Sequence, residues 1–419
     1  MLKKILIHSI VFSPDGVSTA YLYNDVALKF KENGYTVVVL TTTPHYNLVP
    51  GALIKQPLKK KWFGLYYESD FNSIKVKHVP QRKFQQSAFR ILGFVYWHIL
   101  SFILGLFEKN VDIILSPSPP LTIGFINLMM AKLKGAKVVY NVQEIYPDFL
   151  IEQGGLKNKT IISVLKWLER FVYKHSDAVT TIDNVFYHTI VNRFDDQSKL
   201  HIIPNFVDTD LYRSMDDTTL QIDRTLFPHR PDSLKLMYAG NIGHAQDWKP
   251  LVAAAIALKD EAIEFFIIGE GVMKDYLQAQ IELHALTKVH LIPYQPREQM
   301  PTLIAYADLQ FIFMSKEMEG HGFPSKVYTI MACRKPLIVC SSVSTPIYQF
   351  LKDLNCSYLI TETDMEKKIG EIVNTLKRIN KVELAFKGQQ GLKVIGTTYK
   401  KSVVTQQYVD LANKLINYG

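Results

Sequence analysis

Two short stretches combine residues that could hold an anion. "YAGNIG", Tyr238 to Gly243, sets Gly240 and Gly243 at the end of an apolar run of strand length. Glycines there let backbone N–H groups approach a ligand, and phosphate is the usual one. "IIGEG", Ile267 to Gly271, repeats the arrangement one strand–helix unit later. "EGHGFPSKVYTIMAC", Glu319 to Cys333, then places a proline, a serine and a lysine before a run of helical spacing, with Val327, Ile330 and Met331 on its apolar face. Pro324 ends the preceding element and Ser325 suits an N-cap, so the helix is expected to begin at Ser325 or Lys326. Its first turn would offer unpaired N–H groups and the positive end of a dipole beside the Lys326 ammonium, a combination suited to a diphosphate. Taken alone, the plainer reading of this stretch is a capped helix with a solvated lysine.

The elements that must position these residues alternate. "KKILIHSIVF" has strand length, "SPDGVS" is a turn, "TAYLYNDVALKFKEN" has helical spacing, Gly34 suits a C-cap and "TVVVL" is the next strand. "VDIILS", "LTIGFINLMMAKLKG", "AKVVYNV", "IISVLKWLERFVYKHS" and "AVTTI" continue the series. After a polar, proline-containing stretch, a second series begins at "LKLMYAG" and runs to "KPLIVC". Alternation of this kind predicts an α/β protein with two doubly wound, Rossmann-like domains. The expected division is an N-terminal domain over 1–207, a linker over 208–232, a C-terminal domain over 233–390, and a final helix over 391–419 packing back on the first domain. Parallel sheets bind ligands at the carboxyl ends of their strands, so a cleft between the domains is the expected site. No GxGxxG follows the first strand, which offers only Asp15-Gly16, and no GxxxxGK[ST] occurs, so nicotinamide, flavin and P-loop chemistry are not indicated.

Composition sets the outer bounds. With 419 residues, 47% of them hydrophobic and 21% charged, the chain has core material for two domains of about 200 residues each. Cys333, Cys340 and Cys356 include no CxxC pair and no leader peptide is legible, so a reducing cytoplasm is expected, without disulfides or a zinc site. The net charge of +9 calls for an acidic partner. Between Gly51 and Lys83 eight Lys/Arg oppose Glu68 and Asp70, with Trp62, Phe63, Tyr66 and Tyr67 among them. Downstream, Ile91 to Phe107 is an uncharged run of 17 residues whose polar stripe is His98, Ser101 and Gly105. It is short of the roughly 20 residues a spanning helix needs. A helix here must be a core element or lie against lipid, and the basic, aromatic residues before it favour lipid.

In order along the chain, "SPDGVS", "VQEIYPD", "IIPNFVDTDLY", "LMYAGNIG", "FFIIGEG", "IPYQPREQMPTLIAYADLQF" and "EGHGFPSKVYTIMACRKPLIV" resemble glycosyltransferase family 4, the retaining, nucleotide-sugar-dependent group with the GT-B fold. Within it the chain is most similar to transferases of bacterial surface polysaccharides, including fucosamine and colanic-acid types. The resemblance implies that Gly240, Asn241, Gly243, Ser325 and Lys326 face the donor diphosphate, that the loop of Tyr294 and Gln295 faces the base, and that Gly16 approaches the donor from the first domain. Glu144, in "QEIYPD", falls where a polar residue is presented to the sugar or acceptor; a surface carboxylate at a turn is the alternative. Many relatives carry an arginine after the first glycine and a lysine several residues later, where this chain has Asn241 and Gln246. A leaving diphosphate still needs positive charge, for which Lys326 is best placed and Lys249 second. The family's paired glutamates are also altered. Aligned from the front, Glu319 is the first; aligned from the rear on "IMA", His321 takes the first place and Thr329 the second, a nucleotide-contacting one.

The resemblance further implies transfer of a sugar, of N-acetylated amino or deoxy type, from a UDP-linked donor to a lipid-linked saccharide in O-antigen or capsule synthesis. The expected partners are therefore the nucleotide-sugar donor, the lipid-linked acceptor and an anionic membrane surface met through residues 51–107, not nucleic acid; the setting is the cytoplasmic face of the membrane. No cofactor and no metal is expected, "DTD" at Asp208 to Asp210 being read as a turn. The alternatives are a nucleotide-sugar epimerase or hydrolase of the same architecture, and a non-catalytic basic protein.

Overall fold

The computed structural model divides into two compact units, 1–205 with 402–419, and 206–401. It describes every residue except 1, 47, 49–50, 82–86, 153, 216–219, 229, 317–318, 320–322 and 418–419, and the backbone alone for 87–91.

In unit 1 nine strands form one sheet: β1 (Lys4–His8), β2 (Thr36–Thr42), β3 (Lys59–Lys61), β4 (Tyr66–Phe71), β5 (Ile74–Val79), β6 (Ile113–Ser118), β7 (Lys137–Val142), β8 (Ala178–Thr181) and β9 (Leu200–Ile202). Their order is β3-β4-β5-β2-β1-β6-β7-β8-β9. β3 and β4 are antiparallel additions at one edge, and the remaining pairs are parallel. Ile5, Leu6 and Ile7 are fully buried, as expected of a parallel strand covered on both faces. Helices Ser87–Leu106, Leu121–Lys134 and Lys159–His175 carry the chain from β5 to β6, β6 to β7 and β7 to β8. Every one of these steps runs in the same direction along the sheet, so right-handed crossover puts all three helices on one face. Helix Ser18–Glu32 connects β1 to β2 in the opposite direction and lies on the other face. Beside it packs the last helix, Lys401–Asn417, where the Asn141 amide donates to the Tyr408 hydroxyl at 3.2 Å and the Tyr35 hydroxyl to Asn413 at 2.5 Å.

Unit 2 is built on six parallel strands: β10 (Leu234–Ala239), β11 (Ile263–Ile268), β12 (Val289–Ile292), β13 (Leu309–Phe313), β14 (Leu337–Cys340) and β15 (Ser357–Ile360), ordered β12-β11-β10-β13-β14-β15. The stretch expected as a linker over 208–232 folds into this unit. Phe227 is buried against Phe266 and Tyr306, and the Val207 amide donates to the Tyr399 carbonyl. Asp208, the first carboxylate of "DTD", accepts from the Asp210 and Leu211 amides and from the Lys401 ammonium, closing a turn. Residues 391–401 also stay in unit 2, with Ile395 fully buried in its core, so the return to unit 1 begins at 402 rather than 391. A few buried aromatic and aliphatic side chains outweigh the polar composition that suggested a linker.

Tyr408→Ala should destabilise unit 1 by about 3 kcal/mol, the usual scale for truncating a buried aromatic side chain. Thermal unfolding checks this; an unchanged transition would mean that the last helix is not part of the core of unit 1.

Candidate functional site

Unit 2 gathers most of the expected donor residues at the carboxyl edge of its sheet. β10 ends in Tyr238 and Ala239, and Gly240 follows with φ +150°, a backbone conformation that side chains rarely adopt. A Cβ on Gly240 would lie 2.7 Å from the Lys326 Nζ. The neighbouring loop after β11 is just as close: a Cβ on Gly269, φ +144°, would lie 1.9 Å from the Gly240 carbonyl oxygen. Hydrogen bonds hold the two loops together, the Gly240 amide donating to Ile268 and the Ile242 amide to Glu270. The glycines of "YAGNIG" and "IIGEG" therefore serve backbone-to-backbone contact first. Asn241 is exposed at the tip, and the Gly243 carbonyl accepts from the Trp248 indole at 3.0 Å.

Lys326 reaches into this corner from the loop after β13. Its ammonium donates to the Ala239 carbonyl at 3.1 Å and sits 3.7 Å from the centre of the Tyr238 ring. The Tyr238 hydroxyl donates to the Asn241 carbonyl at 2.8 Å, fixing ring and loop together. Loss of surrounding water pulls the Lys326 pKa down to about 7. Ring and carbonyl favour the cation, but neither replaces its hydration. Gln246, at the place of the relatives' lysine, is committed to the scaffold: its carbonyl accepts from the Phe313 amide at 3.0 Å. Lys249 is exposed in the first turn of helix Trp248–Ala257.

The helix begins at Lys326 and runs to Ala332, but Ser325 does not cap it through its side chain. Its backbone is already helical, with φ −56° and ψ −22°, and its hydroxyl makes no capping bond. Capping requires an extended residue, which spacing alone does not reveal. Thr329 turns its hydroxyl back to the Lys326 carbonyl at 2.8 Å. Glu319 accepts from the Ser342 amide at 2.8 Å, tying the loop after β13 to the loop after β14. His321 lies outside the described residues. Tyr294 is exposed in the loop after β12, where the Gln295 amide donates to the Pro293 carbonyl.

Gly16 and Glu144 belong to unit 1, in the loops at the carboxyl ends of β1 and β7. The Gly16 amide donates to the Tyr46 carbonyl at 2.9 Å. Next to it Asp15, missed by motif reading, is buried and accepts from the His45 and Tyr46 amides at 2.8 Å each, locking the loops after β1 and β2 together. Burial raises its pKa against those bonds. Glu144 is half-buried; burial raises its pKa while a hydrogen bond from the Tyr146 hydroxyl opposes the shift. The turn that carries Glu144 is anchored one residue beyond Pro147. Arg193 donates to Asp148 at 2.6 Å and to the buried Glu169 at 2.5 Å.

Comparison with known proteins gives matches along most of the chain. A family model described as glycosyl transferases group 1 matches residues 222–385, and one described as Glycosyltransferase Family 4 matches residues 22–211. WcaI of Escherichia coli K12, described as a colanic acid biosynthesis glycosyl transferase, is 22% identical over 354 residues, 83% of this chain and 85% of the relative. Among solved structures, sucrose-phosphate synthase from Thermosynechococcus elongatus aligns with a TM-score of 0.74 at 11% identity over 100% of both chains. Anabaena HepE in complex with UDP aligns with a TM-score of 0.71 at 13% identity, over 98% of this chain and 100% of that one. Identities this low make the structural likeness one of fold, two Rossmann-like α/β domains.

Gly269→Ala should disrupt the paired glycine loops, since its methyl group would fall on the Gly240 carbonyl. The expected outcome is a Tm lowered by several degrees, on the order of 2 kcal/mol for a strained position. A variant with unchanged Tm would show that the loops can separate without cost.

Proposed function

We propose that this chain, a glycosyltransferase with the GT-B fold, moves a sugar from a UDP-linked donor onto a lipid-linked oligosaccharide of a bacterial surface polysaccharide, with retention at the anomeric carbon. The observation that carries the proposal is the Lys326 ammonium held against the Gly240 loop at the carboxyl edge of β10. Support also comes from the relative described as a colanic acid biosynthesis transferase and from the fold neighbour solved with UDP.

In the scheme the bond from the anomeric carbon to the diphosphate oxygen breaks, and its electron pair leaves with UDP. The acceptor hydroxyl oxygen forms the new bond on the same face, and its proton passes to the departing phosphate. Charge accumulates on the diphosphate as the bond breaks, so a cation fixed beside it stabilises the transition state more than the ground state. Lys326 supplies that cation, and backbone amides around Gly240 and Gly243 the further donors; no metal ion or resident cofactor enters the scheme. Glu319, fixed by the Ser342 amide, is assigned to the sugar. Tyr294, Gln295 and Thr329 are assigned to the nucleoside, and Gly16 and Glu144 of unit 1 to the donor and acceptor. The lipid-linked acceptor places the protein on the inner face of the membrane, with residues 51–107 against anionic headgroups. No described helix is long and apolar enough to cross a membrane.

The sign of the pH effect follows from Lys326. A diphosphate binds the protonated amine, which is fully formed below its pKa of about 7 and lost above it. UDP affinity measured by calorimetry should therefore fall between about pH 7 and about pH 9, by up to about tenfold per unit. Lys326→Met should abolish this dependence and lower kcat by about a hundredfold or more. A Lys326→Met enzyme with wild-type turnover would sink the assignment. Rapid consumption of the donor without acceptor would instead point to an epimerase or hydrolase.

A further inference from the structure

The three crossover helices on one face of unit 1 are apolar on both sides: their inner faces pack into the core and their outer faces also expose large apolar side chains. In Ser87–Leu106 the polar stripe points inward: His98 and Ser101 are buried beside Trp97, whereas Leu92, Val95 and Ile99 are exposed, Ile99 by 56%. In Leu121–Lys134 Asn127 is fully buried, bonded to His8 and Ser116, while Met129 and Leu133 are exposed, Leu133 by 68%. In Lys159–His175 Glu169 is buried on Arg193, while Ile161, Val164 and Trp167 form an exposed stripe, Trp167 by 59%. A surface helix of a soluble protein turns its apolar stripe to the core and its polar groups to solvent. Here each helix keeps a polar anchor inside and presents large apolar side chains outside.

The three helices are neighbours, the middle one packing against both others. Phe125 and Phe171, with ring centres 5.7 Å apart, join the outer stripes of the second and third. Their exposed apolar residues therefore share one surface layer, larger in extent than the isolated exposed side chains of ordinary surfaces. The charges that the three helices themselves bring to it have one sign. Glu169 is the only acidic residue in the three helices, and it faces inward. Lys159, Lys166, Arg170 and Lys174 edge the Trp167 stripe at helical spacing; Lys166 lies 3.8 Å from Asp148 and Lys174 3.1 Å from Asp195, pairs too exposed to hold these cations off another anion.

We infer that the outer surface of these three helices is a single lipid-contacting face, seated on an anionic leaflet, with helix Lys159–His175 and Trp167 as its second anchor beyond residues 51–107. The inference rests on the membrane-borne acceptor of the proposed function. Apolar side chains enter the headgroup boundary while the adjoining cations meet lipid phosphates, and an indole suits that depth. A second copy of the chain is a poorer occupant, because stacking this face on itself brings the cation rows into the same contact.

Vesicle sedimentation tests the inference with the full-length protein, nucleotide-binding site intact. With vesicles containing phosphatidylglycerol the wild type should sediment, and Val164→Glu/Trp167→Glu should lose about tenfold or more in partitioning, as should Ile99→Glu. Thermal unfolding and the circular dichroism of each variant should match the wild type, which shows that unit 1 stays folded. Brominated lipids should quench wild-type fluorescence more than that of Trp167→Phe. Unchanged sedimentation of Val164→Glu/Trp167→Glu overturns the inference, above all if reversing Lys59, Lys60 and Lys61 releases the protein, since contact is then confined to residues 51–107. A solution dimer dissolved by Val164→Glu/Trp167→Glu, with vesicle binding intact, also overturns it and assigns the face to a second copy. The proposed reaction is checked separately, by sugar transfer to a lipid-linked acceptor in detergent. Its absence, alongside Trp167-dependent vesicle binding, removes the reaction and leaves the face.

Discussion

The contact between the Lys326 ammonium and the Ala239 carbonyl governs the carboxyl edge of unit 2, because it obliges everything around it to be thin or aromatic. Gly240 must lack a side chain for Nζ to lie where it does, and Gly269 must lack one for the Gly240 carbonyl to lie beside it. Tyr238 supplies the ring beneath the cation and, through its hydroxyl, the tether for Asn241. Three backbone segments, 238–241, the one at Gly269 and the one that carries Lys326, thus meet at an amine whose charge is poorly solvated. A group in that state gains more from a doubly charged ligand than a fully hydrated lysine would, since part of its desolvation has already occurred on folding.

Unit 1 follows a related logic with the opposite outcome. Its strand order sends the successive crossovers from β5 to β9 the same way, and the first three set their long helices side by side on one face. The polar groups of those helices are engaged inside the unit, Asn127 with His8 and Ser116, Glu169 with Arg193. Buried polar partners of this kind set helix position and rotation, and so which residues remain outside. The outer surface need not be polar to define the fold. It is free to be apolar where that serves a contact.

The strands and the paired glycine loops were legible in the sequence because strand runs and glycines at strand ends are local signals. Lys326 was legible as a cation beside the Gly240 loop, but its ring platform and lowered pKa were not, because Tyr238 lies 88 positions earlier in the chain. The 208–232 stretch misled for a similar reason: polar composition describes the surface of that segment, whereas Phe227 alone ties it to Phe266 and Tyr306. Ser325 has the right side chain for a cap and the wrong backbone. Periodicity gives the stripe of His98, Ser101 and Gly105 and not the direction it faces; only packing against β1 and β2 decides that.

Asn241 and Gln246 make the electrostatics of this edge unlike one built on an arginine. A guanidinium stays charged throughout the physiological range and presents a fixed fork of donors, so it binds phosphate at any ordinary pH. With Gln246 spent on the Phe313 amide, an ammonium with a pKa near 7 carries the charge instead. An anion brought against such an amine would raise its pKa by stabilising the cation, and its departure would lower it again. The charge at this edge would then depend on whether an anion is present, which a permanently charged guanidinium does not allow.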